Sequence, residues 1–121
     1  MAYNVAILGA SSNPERYSYK AVILLAENNY NIFPVHPSEK PIGAIKCYAS
    51  LSAIGEKIDT ITVYLGEKNS TPLIDEIISV NPRRIILNPG AENDELQRKC
   101  EAAGIKVMEA CTLVLLRTGQ F

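Results

Sequence analysis

Short apolar runs alternate with longer segments of helical pattern along this chain. Five runs are short and rich enough in apolar or β-branched residues to be strands: Val5–Leu8, Asn31–Val35, Asp59–Leu65, Arg84–Leu87 and Ile105–Met108. Helical patterns separate them, so neighbouring strands are expected to pair in parallel through right-handed crossovers. The pattern predicts an α/β fold, a single Rossmann-like doubly wound domain with a five-stranded parallel sheet of order 3-2-1-4-5 flanked by helices.

The helices have recognisable ends. They are predicted at residues 18–28, from near residue 70 to Asn81-Pro82, and from Asn93 or Asp94 to Ala103. Ser50 is expected to cap a brief further helix, and Ser70 or Thr71 to cap the one that contains Pro72 in its first turn. The last residues are too apolar for a loose terminus and predict a short packed helix or strand that stops at Gly119.

The loop after the first strand is the first place to look for function. Gly9 permits a tight exit from the strand, and Ala10, Ser11 and Ser12 are small enough for a ligand to approach closely. The helix that follows turns unpaired N–H groups and the positive end of its dipole towards the loop. Ser11, Ser12 and Asn13 can therefore donate to a pyrophosphate, although a Ser/Asn-rich turn can also serve only to cap a helix.

A nicotinamide dinucleotide fits this loop poorly. The GxGxxG fingerprint needs glycines where Ser11 and Pro14 stand, and no ribose-binding acid ends the second strand, where residues 32–37 read IFPVHP. Arg16 and Lys20 are candidate phosphate partners, with solvated surface positions as the alternative. The pattern favours a different anionic nucleotide.

The predicted strand order also gives the position of the site. In the order 3-2-1-4-5 the sheet reverses between the first and fourth strands, which opens a crevice at their carboxyl ends. The loops at Gly9–Ser12 and Asn88–Ala91 are expected to face each other there.

Composition narrows the function classes. The length of 121 residues suits one domain over 1–121, and 12 basic against 13 acidic residues give no basic field for nucleic acid. Three widely spaced cysteines, with no secretory signal or membrane-spanning run, predict a reduced cytoplasmic protein. His36 is the one histidine, so neither a metal site nor a Ser-His or Cys-His relay is expected, and no catalytic residue is assigned.

Three segments carry a resemblance to a known family. The sequences GASSNPERYSYKA, PVHPSEKPIG and YASLSAI resemble the small stand-alone CoA-binding proteins, which are similar to the N-terminal CoA-binding domain of the succinyl-CoA synthetase alpha subunit. The resemblance extends from near residue 4 to about residue 111. It implies coenzyme A as the ligand.

The resemblance also implies roles for residues after the second and third strands. It puts Lys40 beside the 3′-phosphate of CoA, and Val35, His36 and Pro37 along the adenosine, with His36 replacing an asparagine of the family. Tyr64 and Leu65 end the third strand where the family often has Phe-Arg, so the arginine contact is missing here.

Two later segments match the family in part. Asn88, Pro89 and Gly90 keep the family's glycine, which favours close approach of ligand to backbone. Cys111 matches a cysteine of the family's Asp-Arg-Cys stretch, but Glu109-Ala110 precedes it, so a packed apolar role is favoured over an activated thiolate.

These observations predict a protein that binds coenzyme A or an acyl-CoA at the carboxyl ends of the strands. The alternatives are a nicotinamide-dependent reductase, an accessory subunit of an acyl-CoA ligase, and a doubly wound scaffold whose apolar C-terminal segment mediates self-association, as in a homodimer, or partner binding. No nucleic acid and no membrane partner is expected.

Overall fold

The computed structural model describes residues 3–38 and 40–121, and its strands and helices alternate as the sequence predicts. The strands are β1 (Asn4–Leu8), β2 (Asn31–Val35), β3 (Thr60–Val63), β4 (Arg84–Leu87) and β5 (Lys106–Glu109). The helices are α1 (Tyr17–Glu27), α2 (Glu67–Ser70), α3 (Ile74–Val80), α4 (Asp94–Ala102) and α5 (Thr112–Arg117). Short 3₁₀ turns lie at Leu51–Ala53 and Thr71–Leu73.

The five strands form one sheet in which every pairing is parallel, so the predicted α/β class is confirmed. The predicted order 3-2-1-4-5 is wrong, because the observed order is β2-β1-β3-β4-β5. Pro34 gives the physical reason, since a proline lacks the N–H that an interior strand would use. The Pro34 carbonyl points outward and accepts from Tyr48 N–H at 2.8 Å, so the missing donor also lies on the outer side of β2. The proline therefore favours an edge position for β2.

This order moves the crevice. The chain leaves β1 towards β2 on one side and returns to β3 on the other, so the reversal lies between β1 and β3. The loop at Gly9–Ser12 consequently faces Tyr64 and Leu65, and the predicted crevice between the first and fourth strands is wrong. The Asn88–Ala91 loop follows the next strand along the sheet.

The two faces of the sheet carry separate clusters of buried side chains. Ala6 and Leu8 face one cluster, which contains Ile74 and Ile77 of α3 and Leu96 of α4. Val5 and Ile7 face the other cluster, which contains Val22 and Leu25 of α1. Helices thus cover both faces, and the carboxyl edge of the sheet is left to loops.

The local end signals are confirmed in most places. The side chains of Ser50 and Asn93 accept hydrogen bonds from Ala53 and Leu96 N–H, as helix caps do. The predicted cap at Ser70 or Thr71 is wrong, because α2 already begins after Gly66 and the chain continues through a 3₁₀ turn into α3. The apolar tail forms helix α5. Within residues 3–38 and 40–121, no helix is long and apolar enough to span a membrane.

Candidate functional site

The residues that follow β1 and β2 are tied together at the carboxyl edge of the sheet. The N–H groups of Gly9 and Ala10 both donate to the Val35 carbonyl, at 3.1 Å each. These two amides are therefore occupied by the fold and are not the donors that a phosphate would use. The first N–H groups of the loop without a hydrogen bond in the described part of the chain belong to Ser11 and Ser12.

A polar pocket of about 190 Å³ opens beside these two serines. Its lining comes from the loop after β1 and from the segment after β2: Ala10, Ser11, Ser12, His36, Ser38, Lys40, Ile42 and Cys47. Among the described residues, the Lys40 ammonium makes no ion pair or hydrogen bond. A cation, hydroxyls and backbone donors thus converge on a space that can hold an anion.

His36 lines this pocket and has one ring nitrogen that can act as a donor. Its Nδ1 accepts from Ser38 N–H at 3.0 Å, and the Ser38 hydroxyl lies 2.8 Å from the same atom. Because a nitrogen that accepts a backbone N–H carries no proton, this hydrogen bond assigns the proton of the neutral ring to Nε2. The ring is exposed, so Nε2–H is available to a ligand.

The turn before α1 is ordered by its own side chains. Ser11 Oγ accepts from Asn13 N–H and Asn13 Oδ1 accepts from Glu15 N–H, both at 3.0 Å. The cap position of α1, Arg16, supplies no side-chain cap bond. The first-turn N–H groups of α1 are thus left without a side-chain acceptor.

The structure does not bring Arg16 and Lys20 into the polar pocket. Both side chains are exposed, and Lys20 Nζ lies 5.5 Å from the centre of the Tyr17 ring. Lys20 lines a separate groove along α1 with Leu24 and Glu27. Asn13 does not line the polar pocket either.

A second space, the β1–β3 cavity, lies at the reversal point and has a volume of about 340 Å³. Its lining consists of Leu8, Gly9, Val35, His36, Pro37, Ala49, Ser50, Leu65, Asn69, Leu73 and Glu76. His36 lines this cavity and the polar pocket, so the two spaces are neighbours. The cavity is largely apolar, with an amide and a carboxylate in its wall.

Gly9 is required where the two loops meet. Its φ is +91°, and a Cβ atom there would lie 2.9 Å from Leu65 Cδ2 and 3.2 Å from the Tyr64 carbonyl carbon. A side chain at this position would be strained and crowded at once. The predicted role of Gly9 in a tight exit from β1 agrees with this geometry.

A third space, the β4–β5 cavity, has a volume of about 300 Å³ and a mainly apolar lining. It is formed by Tyr17, Tyr64, Asn88, Pro89, Cys111, Leu113 and Arg117. Tyr64 and Asn88 thus line a space different from the one that Leu65 lines. Gly90 lines none of these three spaces, and its N–H donates to the Glu92 carboxylate at 3.0 and 3.2 Å.

A network of buried hydrogen bonds adjoins the β4–β5 cavity. Asn88 Nδ2 donates to Thr62 Oγ1 at 2.7 Å and to the Val63 carbonyl at 2.8 Å, while Asn88 Oδ1 accepts from Thr112 N–H at 2.9 Å. The hydroxyls of Thr62 and Thr112 share a further bond of 2.7 Å. The Asn88 amide is therefore fully used in joining β3, β4 and α5, and its contribution to a ligand site is positional.

Tyr64 stands beside this network without joining it. Burial raises the pKa of its phenol to about 12, against a smaller opposing effect of the neighbouring Thr112 and Thr62 hydroxyls. Those two hydroxyls lie 2.7 Å apart and bond each other, and within the described residues Tyr64 Oη makes no hydrogen bond of acceptable geometry. The phenol is consequently a neutral donor at physiological pH.

The three cysteines form no disulfide. Burial raises the pKa of the Cys100 thiol, which packs in the core between α4 and the sheet. Cys111 is half-buried and lines the β4–β5 cavity. Among the described residues, no group of three His, Cys, Asp or Glu side chains is placed to hold a metal ion.

Several residues that line these spaces were not predicted from the sequence. They are Leu8, Tyr17, Ser38, Ile42, Cys47, Ala49, Ser50, Asn69, Leu73, Glu76, Leu113 and Arg117. Most lie on segments that reach the site only through the fold, so no local pattern marks them. Ser38 is the exception, because its position between His36 and Lys40 could have indicated it.

One family model covers most of this chain. The model of the CoA binding domain family matches residues 3–117. The uncharacterized protein YneT of Bacillus subtilis (strain 168) is 24% identical over 111 residues, which are 91% of this chain and 82% of that protein. A crystal structure of an uncharacterized protein is 30% identical with a TM-score of 0.88, covering 100% of this chain and 99% of the other.

A larger protein contains the same fold. Acetyl-coenzyme A synthetase 1 from Ca. Korarchaeum cryptofilum, in complex with phosphate and ADP, is 18% identical with a TM-score of 0.73. The match covers 86% of this chain and 25% of that one, and at this identity it shows the fold alone.

Proposed function

Because the chain belongs to the CoA-binding domain family, we propose that it binds coenzyme A or an acyl-CoA across the carboxyl edge of its sheet. The observation that carries the proposal is the polar pocket, where Lys40 stands without an ion pair in the described part of the chain, opposite Ser11 and Ser12. A nicotinamide dinucleotide would require an acid after β2, whereas CoA carries a 3′-phosphate there that requires a cation.

The three spaces suit the three parts of CoA. The 3′-phosphate occupies the polar pocket, where Lys40 and the His36 Nε2–H donate to it. The adenine enters the β1–β3 cavity, since His36 lines both spaces and the ribose joins base to phosphate. The pantetheine arm passes the start of α1 and reaches the mainly apolar β4–β5 cavity, which Tyr64, Pro89 and Cys111 line.

The protein acts as a binding protein in this proposal. His36 has Ser38 as its hydrogen-bonding partner and lines none of the three spaces together with Cys111, so these two residues do not form a nucleophile and base pair. Turnover of a nicotinamide or of an acyl-CoA that depended on His36 or Cys111 would contradict this part of the proposal.

Calorimetry with two ligands tests the phosphate assignment. We expect Lys40→Ala to weaken CoA binding by about 1 to 3 kcal/mol, the range of a hydrogen bond to a charged group. 3′-Dephospho-CoA should bind the variant and the wild type almost alike, because it lacks the group that Lys40 contacts.

Lys46→Ala is the matched control. Lys46 belongs to the same segment, but its ammonium lies 4.9 Å from the centre of the Tyr48 ring and does not line the polar pocket. With salt held fixed, Lys46→Ala should leave the ratio of the two affinities unchanged. If Lys40→Ala weakens both ligands equally, or neither, the phosphate assignment is wrong. If neither ligand binds the wild type, the proposed function is wrong.

A further inference from the structure

The β1–β3 cavity has a polar group whose geometry suits a nucleobase. Glu76 lies in α3 and lines the cavity together with Asn69 of α2. One carboxylate oxygen, Oε2, is held by Ser52, whose hydroxyl lies at 2.5 Å and whose N–H lies at 3.3 Å. The side chain is therefore fixed at one oxygen by the turn that follows β2.

The other oxygen is available. Within residues 3–38 and 40–121, Glu76 Oε1 has no hydrogen-bonding partner, and the Asn69 amide makes no side-chain hydrogen bond. A carboxylate only accepts hydrogen bonds, so a ligand in this cavity must offer it an N–H or O–H. Most of the remaining lining is apolar and includes Leu8, Val35 and Leu65.

We infer that Glu76 reads the exocyclic amine of adenine and so makes this site selective for an adenine nucleotide. Adenine presents an N–H₂ group at the position where hypoxanthine and guanine present a carbonyl oxygen. An amine would donate to Glu76 Oε1, while a carbonyl would put two acceptors against each other. Asn69 can complete the contact, since its amide both donates and accepts.

Ser52 is a positioning residue in this inference. It touches no part of the ligand but holds Oε2, which leaves Oε1 as the oxygen for the base. The 3₁₀ turn at Leu51–Ala53 thereby links the segment after β2, which also carries Lys40, to helix α3. The segment that follows β2 then contributes both to selectivity for the base and to selectivity for the 3′-phosphate.

The inference rests on the proposed function. Two ligands distinguish a failure of the inference from a failure of the proposed function. CoA and its hypoxanthine counterpart, in which the amine is replaced by a carbonyl oxygen, are titrated against the wild type and Glu76→Gln by calorimetry. We expect the wild type to prefer CoA by about tenfold or more, the effect of losing one charge-assisted hydrogen bond. Glu76→Gln should reduce the preference to about twofold or less, because a glutamine amide can also donate to a carbonyl.

Glu67→Gln is the matched control, since Glu67 is an exposed carboxylate of α2 that does not line the cavity. It should keep the wild-type ratio, and Ser52→Ala should lower the ratio without altering the contribution of the 3′-phosphate. If the wild type binds the two ligands equally, the inference is wrong. It is also wrong if a folded Glu76→Gln variant keeps the wild-type ratio of the two affinities. Both outcomes leave CoA binding intact, whereas failure of both ligands to bind the wild type refutes the proposed function itself.

Discussion

The polar pocket and the β4–β5 cavity lie at the same edge of the sheet and are built in opposite ways. Most polar side chains that line the polar pocket are exposed, and Lys40 and Ser12 make no hydrogen bond to the described residues. The β4–β5 cavity rests on buried amide and hydroxyl groups that bond one another, centred on Asn88. The first region keeps Lys40 and Ser12 for a ligand, whereas the second uses the buried polar groups around Asn88 for the fold.

The difference predicts where substitutions act. A change in the polar pocket removes a contact that forms only with ligand, so it should affect affinity and leave folding nearly unchanged. A change beneath the β4–β5 cavity leaves buried groups without partners, which costs stability before any ligand is present.

Asn88 and Ser12 test this difference with the largest expected effect. Asn88→Ala should lower the free energy of unfolding by about 2 to 3 kcal/mol, because Thr112 N–H is left without its buried partner and the Val63 carbonyl keeps only the backbone N–H of residue 88. Ser12→Ala removes an exposed hydroxyl of the polar pocket that makes no hydrogen bond to the described residues, and should cost less than about 0.5 kcal/mol. Urea denaturation of both variants measures the difference, and equal losses would contradict the contrast between the two regions.

Two glycines sharpen the comparison at the border between the loops. Gly9 and Gly90 share a φ of +91°, but only at Gly9 would a Cβ atom meet other atoms within 4 Å. Gly9→Ala should therefore cost about 2 to 3 kcal/mol in stability, from backbone strain and crowding together. Gly90→Ala should cost about 1 kcal/mol, from strain alone.

Thermal and urea unfolding of the two glycine variants isolate the crowding against Leu65. A smaller loss in Gly9→Ala than in Gly90→Ala would show that the loops after β1 and β3 separate without cost, which would refute the close packing at the crevice.

The smallest expected effect is a pH dependence at Tyr64. Its pKa in the folded protein is about 12 against an ordinary 10.0, so the unfolded chain releases this proton first as the pH rises. The contribution to stability is fully present below pH 10 and is lost as the pH approaches 12. Relative to Tyr64→Phe, the wild type should lose about 2 kcal/mol across this interval.

Urea denaturation at a series of pH values from 9 to 12 measures this loss. The two proteins are otherwise identical, so every other group cancels in the difference. A difference that stays constant over the whole series would show that Tyr64 is solvated in the folded protein.

The sequence predicts the elements well because their signals are local. Ser50 and Asn93 each stand where a cap is needed, and their side chains make the expected bonds. The predicted strand order was wrong because the alternation of strands and helices along the chain is compatible with both the predicted and the observed order. Pro34 carried the missing information, since an outward-facing nitrogen that cannot donate belongs on an edge strand.

The site was less accessible to prediction for a related reason. The glycine and serines of the loop follow β1 directly. They are predicted because ligands bind at the carboxyl ends of the strands in a parallel sheet. Glu76 reaches the β1–β3 cavity from helix α3, and its partner Ser52 is distant in the chain. Asn88 is near the site in sequence and in space, yet only the structure reveals that its amide is already occupied.

The Val35 carbonyl divides the loop after β1 into a part that is held to the sheet and a part that keeps more conformational freedom. Because it accepts from both Gly9 and Ala10, those residues are as immobilised as the sheet itself before a ligand arrives. The conformational freedom that binding must remove begins at Ser11, whose own hydroxyl already restrains the turn through Asn13. The loop is thus largely preorganised, and most of the entropic cost of binding falls on the ligand and on the exposed side chain of Lys40.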